Sequence, residues 1–263
     1  MNIYVHDEYM KEKASRAKRQ QTIGMICIVV SFLFSFGSFG GTSTWLIFLA
    51  YPFLLVGFPL WTMGRSAQRK LSTSTHADVL LNAEMKGLNN KYSLHHYVRH
   101  GNGWIHHLLI TPSGLIVMNS NDAASPVTCR GTEKGDQWKS PSNILDRMTG
   151  LKPPVGNPTQ ELETATAAAR DLLNQIGKPN VPVKAAVLFT RNPDVTIDGC
   201  SFQGVPMNEA KLVVRELQQD MDNEREGDTD VKTILTSEDR RKLNLLLAPE
   251  DRTAPANPTP AKR

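Results

Sequence analysis

From Gln21 to Gly64 the chain carries no Lys, Arg, Asp, Glu or His, so an uninterrupted apolar window lies between two charged flanks. Gly40-Gly-Thr-Ser43 divides it into residues 22–39 and 44–63, each close to the roughly 20 residues that a bilayer-spanning helix needs. A cleaved leader or a buried soluble hairpin would also be apolar. The first stretch is long for a leader, no small-x-small cleavage site precedes the second, and buried soluble helices rarely lack all charge over two passes. The pattern predicts a transmembrane hairpin at 22–64, with Pro52 and Pro59 bending its second helix. Lys11, Lys13, Arg16, Lys18 and Arg19 precede the window, and Arg65, Arg69 and Lys70 follow it. Cytoplasmic flanks carry the excess of Lys and Arg, so the expectation is a two-span integral membrane protein with both termini in the cytoplasm.

Beyond a Ser/Thr-rich tether at 65–75 the periodicity changes. Val79, Leu80, Ala83 and Leu88 recur at helical spacing and predict a helix over 76–88. Residues 92–99, 104–111 and 115–119 read as three consecutive strands. Thr111-Pro-Ser-Gly114 joins the last two, with Pro at the second position of a turn and Gly after it. Short strands are expected at 127–130 and 137–139. A helix then starts where Asn157 can cap, Pro158 suits the first position and Gln160 stands at the capping-box position; it runs to Ile176, with Gly177 as its stop. An apolar strand at 183–190, an edge strand at 201–206 and helices at 208–220 and 237–247 complete the pattern.

The expected organisation is a basic cytoplasmic segment (1–21), the membrane hairpin (22–64), the tether (65–75), an α/β domain (76–206), C-terminal helices (207–250) and a disordered Pro-rich tail (251–263).

The pI of 8.9 changes meaning once charge is placed along the chain. Residues 1–70 hold eight of the 30 Lys/Arg and three of the 26 Asp/Glu, which leaves 22 basic and 23 acidic residues beyond. The soluble part is near neutral, unlike a non-specific nucleic-acid binder. The partners expected are the lipid bilayer and a protein or small ligand, with nucleic acid not favoured. Cys27, Cys129 and Cys200 show no metal-ligand spacing and are expected as free thiols in a reducing compartment.

A set of residues in this order resembles the NERD, or nuclease-related, domain family: Trp104-Ile-His-His-Leu-Leu-Ile-Thr111, the turn Pro112-Ser-Gly114, Leu115-Ile-Val-Met-Asn119, Trp138, Asn157-Pro-Thr-Gln160 and the strand ending Val187-Leu-Phe189. The resemblance implies an α/β restriction-endonuclease-like fold of order α-β-β-β-α-β. It also implies a nuclease in which carboxylates hold a hard divalent ion and a lysine adds positive charge. The family's pattern is an acidic residue in the first helix, Ile-Asp-His on the second strand and Glu-x-Lys at the end of the third. Here those positions are Asp78, His106 followed by His107, and Asn119-Ser-Asn121.

These substitutions change the chemistry. Imidazole suits Zn²⁺ better than Mg²⁺, and two neutral amides replace an anion and a cation. Strand alternation is expected to send His106 and His107 to opposite faces, and Asp122 away from Asn121. The reading that follows is a membrane-tethered, catalytically degenerate binding or scaffolding module that needs no cofactor. The alternative is an active metal-dependent nuclease, with Mg²⁺, Mn²⁺ or Zn²⁺ on Asp78, His106 and Asp122.

Overall fold

The structure is a computed structural model and describes residues 1–39, 45–72, 77–101, 103–143, 146, 153–226 and 234–248. The expected hairpin turn at 40–43, the end of the tether at 73–75 and the tail at 251–263 lie outside the described residues. The chain forms two compact units. One comprises Met1–Asp7, Ala77–Lys139 and Val155–Arg263, the other Glu8–His76 and Ser140–Pro154.

The first unit is built on β1 (Asn2–Val5), β2 (Ser93–His100), β3 (Gly103–Ile110), β4 (Leu115–Asn121), β7 (Val183–Phe189) and β9 (Gln203–Pro206), which form one sheet in the order β1-β2-β3-β4-β7-β9. β2, β3 and β4 run antiparallel, whereas β1 joins β2, β7 joins β4 and β9 joins β7 in parallel. β1 lies in the stretch expected to be a basic cytoplasmic segment (1–21), and it pairs with β2 as part of the sheet. The Thr111–Gly114 turn closes as predicted, with Thr111 N donating to Gly114 O at 2.9 Å. A Cβ at Gly114 would meet Met221 Sδ at 2.9 Å, so only glycine lets the turn pack there.

The strands are near-continuous apolar runs because both faces are covered. On one face Leu108, Ile110, Leu115, Val117, Val187 and Phe189 pack with Leu162, Ala169 and Leu173 of the helix Pro158–Gln175. On the other, Leu94, Leu109, Ile116, Met118 and Leu188 pack with Leu81, Met85, Val213 and Leu217. Leu81 and Met85 belong to α3 (Ala77–Glu84) and the turn after it, Val213 and Leu217 to a helix Ala210–Glu226. We label Pro158–Gln175 α4, Ala210–Glu226 α5 and Ser237–Leu246 α6. At the start of α4 the Asn157 side chain accepts from Gln160 N at 3.3 Å, and Gly177, at φ +73°, follows its end.

β5 (Val127–Thr132), β6 (Gly135–Lys139) and β8 (Val195–Asp198) form a second sheet in the order β6-β5-β8. Here the structure corrects the free-thiol expectation for two of the three cysteines: Cys129 and Cys200 are joined by a disulfide. The parallel register Arg130↔Asp198 brings the turn after β8 alongside β5. Cysteines 71 residues apart in sequence thus become neighbours through a strand pairing that no local spacing announces. Cys27 is free.

In the second unit α1 (Asp7–Phe39) and α2 (Leu46–Ser72) pack side by side in opposite directions. A Cβ at Gly64 would stand 2.5 Å from Gln21 N and 2.8 Å from Ala17 O, and one at Gly57 would stand 2.7 Å from Cys27 Cβ. Ser31 Oγ donates to Ala50 O at 2.9 Å across the same seam. α2 continues to Ser72, so most of the expected tether is helical. Among the described residues one helix, Asp7–Phe36, is long and apolar enough to cross a membrane.

Candidate functional site

β2 and β3 pair regularly from Ser93↔Ile110 to His96↔His107, break opposite Tyr97, and resume at Val98↔Ile105. Tyr97 causes the break, because its φ of +59° is a left-handed conformation that bulky side chains rarely adopt. The flip changes which residues face which helix. Val98 and Ile105 join the α4 face, where simple alternation from His96 and His107 would have put them on the other. Tyr97 turns instead to α3, where its hydroxyl donates to Asp78 Oδ1 at 3.4 Å.

A cluster of rings results on the α3 side. The Tyr97 ring centroid lies 5.7 Å from that of His107 and 6.4 Å from that of His106, and the two histidine rings are 6.3 Å apart in a T-shaped arrangement. The expectation that His106 and His107 face opposite sides of the sheet is therefore corrected. The strained backbone of the neighbouring strand overrides the two-residue period.

Within this cluster His96 Nε2 meets Asn82 Oδ1 at 2.9 Å, and His96 Nδ1 meets His107 Nδ1 at 2.7 Å. An amide oxygen only accepts, so His96 Nε2 carries the proton and His96 Nδ1 the lone pair. His107 Nδ1 then donates, which leaves His107 Nε2 as a bare lone pair, fully buried and without a hydrogen-bonding partner among the described residues. Such a nitrogen can accept a proton or a hydrogen bond, or take a metal. Burial holds both rings neutral: it pushes the His96 pKa down to about 3 and that of His107 well below its ordinary value. On the opposite face burial lowers the His95 pKa to about 4, while Nε2 of that ring meets Asn244 Oδ1 at 2.8 Å.

The four residues expected to form the site are divided by the sheet. Asp78 and His106 belong to the ring cluster, and His106 Nδ1 accepts from Ser120 N at 3.3 Å, with Ser120 Oγ also at 3.3 Å. Asn121 is engaged elsewhere: its Nδ2 donates to Val155 O at 2.8 Å and its Oδ1 accepts from Ala123 N at 3.0 Å. Val155 is part of the α4-side core. Asn119, two residues earlier on the same strand, is buried, and its Oδ1 has no hydrogen-bonding partner among the described residues. Asp122 accepts from Thr190 Oγ1 at 2.8 Å, which ties it to the end of β7.

One imidazole, two amides and an aspartate in these positions do not fit a hard divalent ion, which needs converging carboxylate oxygens. Among the described residues the group of His, Cys, Asp or Glu side chains close enough to share an ion is Cys129, Asp136 and Cys200, none of them an expected site residue. That group has a structural role. Asp136 accepts from Ser201 N at 3.0 Å and from Thr159 Oγ1 at 2.7 Å, and Thr159 Oγ1 accepts from Trp138 Nε1 at 2.8 Å. The network fastens the start of α4 to the second sheet.

Residues 75–190 match the nuclease-related domain family, NERD. No curated protein and no solved structure matches the chain. The NERD segment contains α3, the strands from β2 to β7 and α4, with β5 and β6 standing between β4 and α4. It also contains the ring cluster and the Asp136–Thr159–Trp138 network, so both lie within the segment that matches the family. Tyr97, His96 and Asn82 went unread as site residues. A usable signal for the histidines was present, since counting outward from the midpoint of the short link between the two expected strands pairs His96 with His107. Nothing in the sequence marks the left-handed backbone of Tyr97.

Proposed function

We propose that this chain is a two-span membrane protein whose NERD domain is a catalytically degenerate binding or scaffolding module on the cytoplasmic side. The observation that carries the loss of hydrolysis is the engagement of Asn121. It stands where the family has its lysine, and both ends of its amide are held by the backbone of Val155 and Ala123. A side chain that builds the fold is not free to meet a phosphate. His106, at the position of a metal-binding aspartate, likewise lends its lone pair to Ser120. The alternative nuclease needs Asp122 beside His106, and the Thr190 bond draws Asp122 elsewhere.

Chain continuity supports two spans. The sheet unit includes Met1–Asp7 and resumes at Ala77, so the intervening segment must cross any membrane an even number of times. α1 and α2 supply two crossings. The basic flanks favour the cytoplasmic side, while the disulfide pulls the other way, because such bonds are rare in reducing compartments. Among partners, the near-neutral charge beyond residue 70 favours a protein or small ligand over nucleic acid.

The test is plasmid nicking by the full chain in detergent with Mg²⁺, Mn²⁺ or Zn²⁺, with His106→Ala as control. A folded protein inert with every metal is the expected result. Metal-dependent nicking that disappears in His106→Ala would restore the nuclease reading.

A further inference from the structure

We propose that the base of the α1–α2 pair is a binding site for the phosphate-bearing headgroup of an anionic lipid, with Lys18 and Arg65 as its ligands. The proposal rests on the two-span reading and adds a specific lipid contact to it.

Three observations converge at one place. Gly64 meets Gln21 and Ala17 at backbone distance; Gly64 is the last residue of the charge-free window and Gln21 lies one residue inside its start. A close approach of the two helices therefore coincides with the apolar boundary on both. Lys18 follows Ala17 and Arg65 follows Gly64, so cations from two different helices stand within about one turn of the same crossing. By the helical period of about 100°, Lys18 and Arg65 each stand about a quarter turn from the seam, on the same edge of the antiparallel pair, whereas Arg19 points away from α2.

Two neighbouring cations are engaged within α1. Arg16 pairs with Glu12 at 2.5 Å, and the Lys13 ammonium sits 4.4 Å from the Tyr9 ring centroid. Lys18 and Arg19 are exposed and have no carboxylate partner among the described residues. The acids of residues 7–75 are Asp7, Glu8 and Glu12, all at least six residues before Lys18. The Arg65 guanidinium lies over the Trp61 ring at 5.2 Å, an aromatic–cation pair of the kind that anchors a helix at headgroup depth. Unpaired positive charge at the apolar boundary complements an anionic headgroup whose acyl chains run along the exposed apolar faces of both helices.

Full-length protein, a Lys18→Gln/Arg65→Gln variant and an Arg170→Gln control on α4 would each be reconstituted into phosphatidylcholine nanodiscs doped with phosphatidylglycerol. After extraction into a non-ionic detergent, the retained lipid is quantified. Wild type and the Arg170 control should retain phosphatidylglycerol well above its bulk proportion, and the double substitution should lower that retention about fivefold. Glutamine keeps helix propensity, and equal incorporation of all three proteins shows that the variant folds. Retention at bulk proportion in wild type, or unchanged retention in the variant, overturns the site. Displacement of the lipid by inorganic phosphate would identify a free-phosphate site and overturn the lipid assignment. Failure of wild type to enter nanodiscs would overturn the two-span reading itself, an outcome distinct from the others.

Discussion

The two units of this chain solve opposite packing problems. In the sheet unit the large apolar residues are inside: Phe189, Leu108, Leu115 and Ile116 are fully buried, and polar groups cover the outside. In the helical unit the order is inverted. Ala17, Gly24, Ser31, Gly57 and Gly64 fill the seam between α1 and α2, while Phe32, Leu33, Phe36, Phe48 and Leu55 face outward. Water drives large apolar side chains together. On the two-span reading proposed above, the helical pair meets hydrocarbon instead, which gives large side chains no reason to gather, so close backbone approach at small residues decides its packing. On that reading the surrounding solvent, and not burial alone, defines a core.

The comparison can be broken with one pair of substitutions. Phe189→Ala opens a cavity in the sheet core and should cost about 3–5 kcal/mol in denaturant unfolding of the full chain. Leu33→Ala, at 67% exposure on α1, should leave that transition unmoved. A comparable loss from both would mean that the outer face of α1 is covered by protein.

The disulfide sharpens the picture within the sheet unit. Cys200→Ser opens a link spanning 71 residues and should cost about 2–4 kcal/mol, read from the same transition with and without reductant. A wild-type transition that ignores reductant would show that the bond is not formed in solution.

Acid supplies the third test, because the buried histidines belong to the sheet unit and the helical window has none. His95 and His96 are neutral in the fold, with pKa values lowered to about 4 and about 3, whereas the unfolded chain takes up protons near 6.5. Stability should therefore be intact above pH 6.5 and fall as pH drops toward 4 and below, by about 1.4 kcal/mol per pH unit for each histidine. Melting temperature against pH checks this, and His95→Gln should flatten the decline. The smallest effect is expected at the start of α4, where Asn157→Ala removes one cap and should cost about 1 kcal/mol.

Some of this was legible from residue patterns alone. The Thr111–Gly114 turn, the capped start of α4 and the apolar run of β7 are local, because each depends on residues a few positions apart. The charge-free window is local in the same sense. The site was much less legible. His106 and His107 were read by period-two alternation, a rule that holds only while the neighbouring strand stays regular, and Tyr97 breaks it. Asn121 looked like a lost lysine, and only the approach of Val155, 34 residues away, showed what its amide does.

The sequence by itself determined the apolar window, its basic flanks, the helices of the domain and all its strands except β1 and β8, and the order of the family's motif positions, because periodicity, capping and turn chemistry act over a few residues. Tertiary structure alone decided that β1 completes the sheet, that Cys129 meets Cys200, that His96, His106 and His107 gather in one cluster, and that the four motif positions divide between two faces. Those facts depend on contacts between residues tens of positions apart, and such contacts are set by strand register and backbone strain rather than by any local pattern.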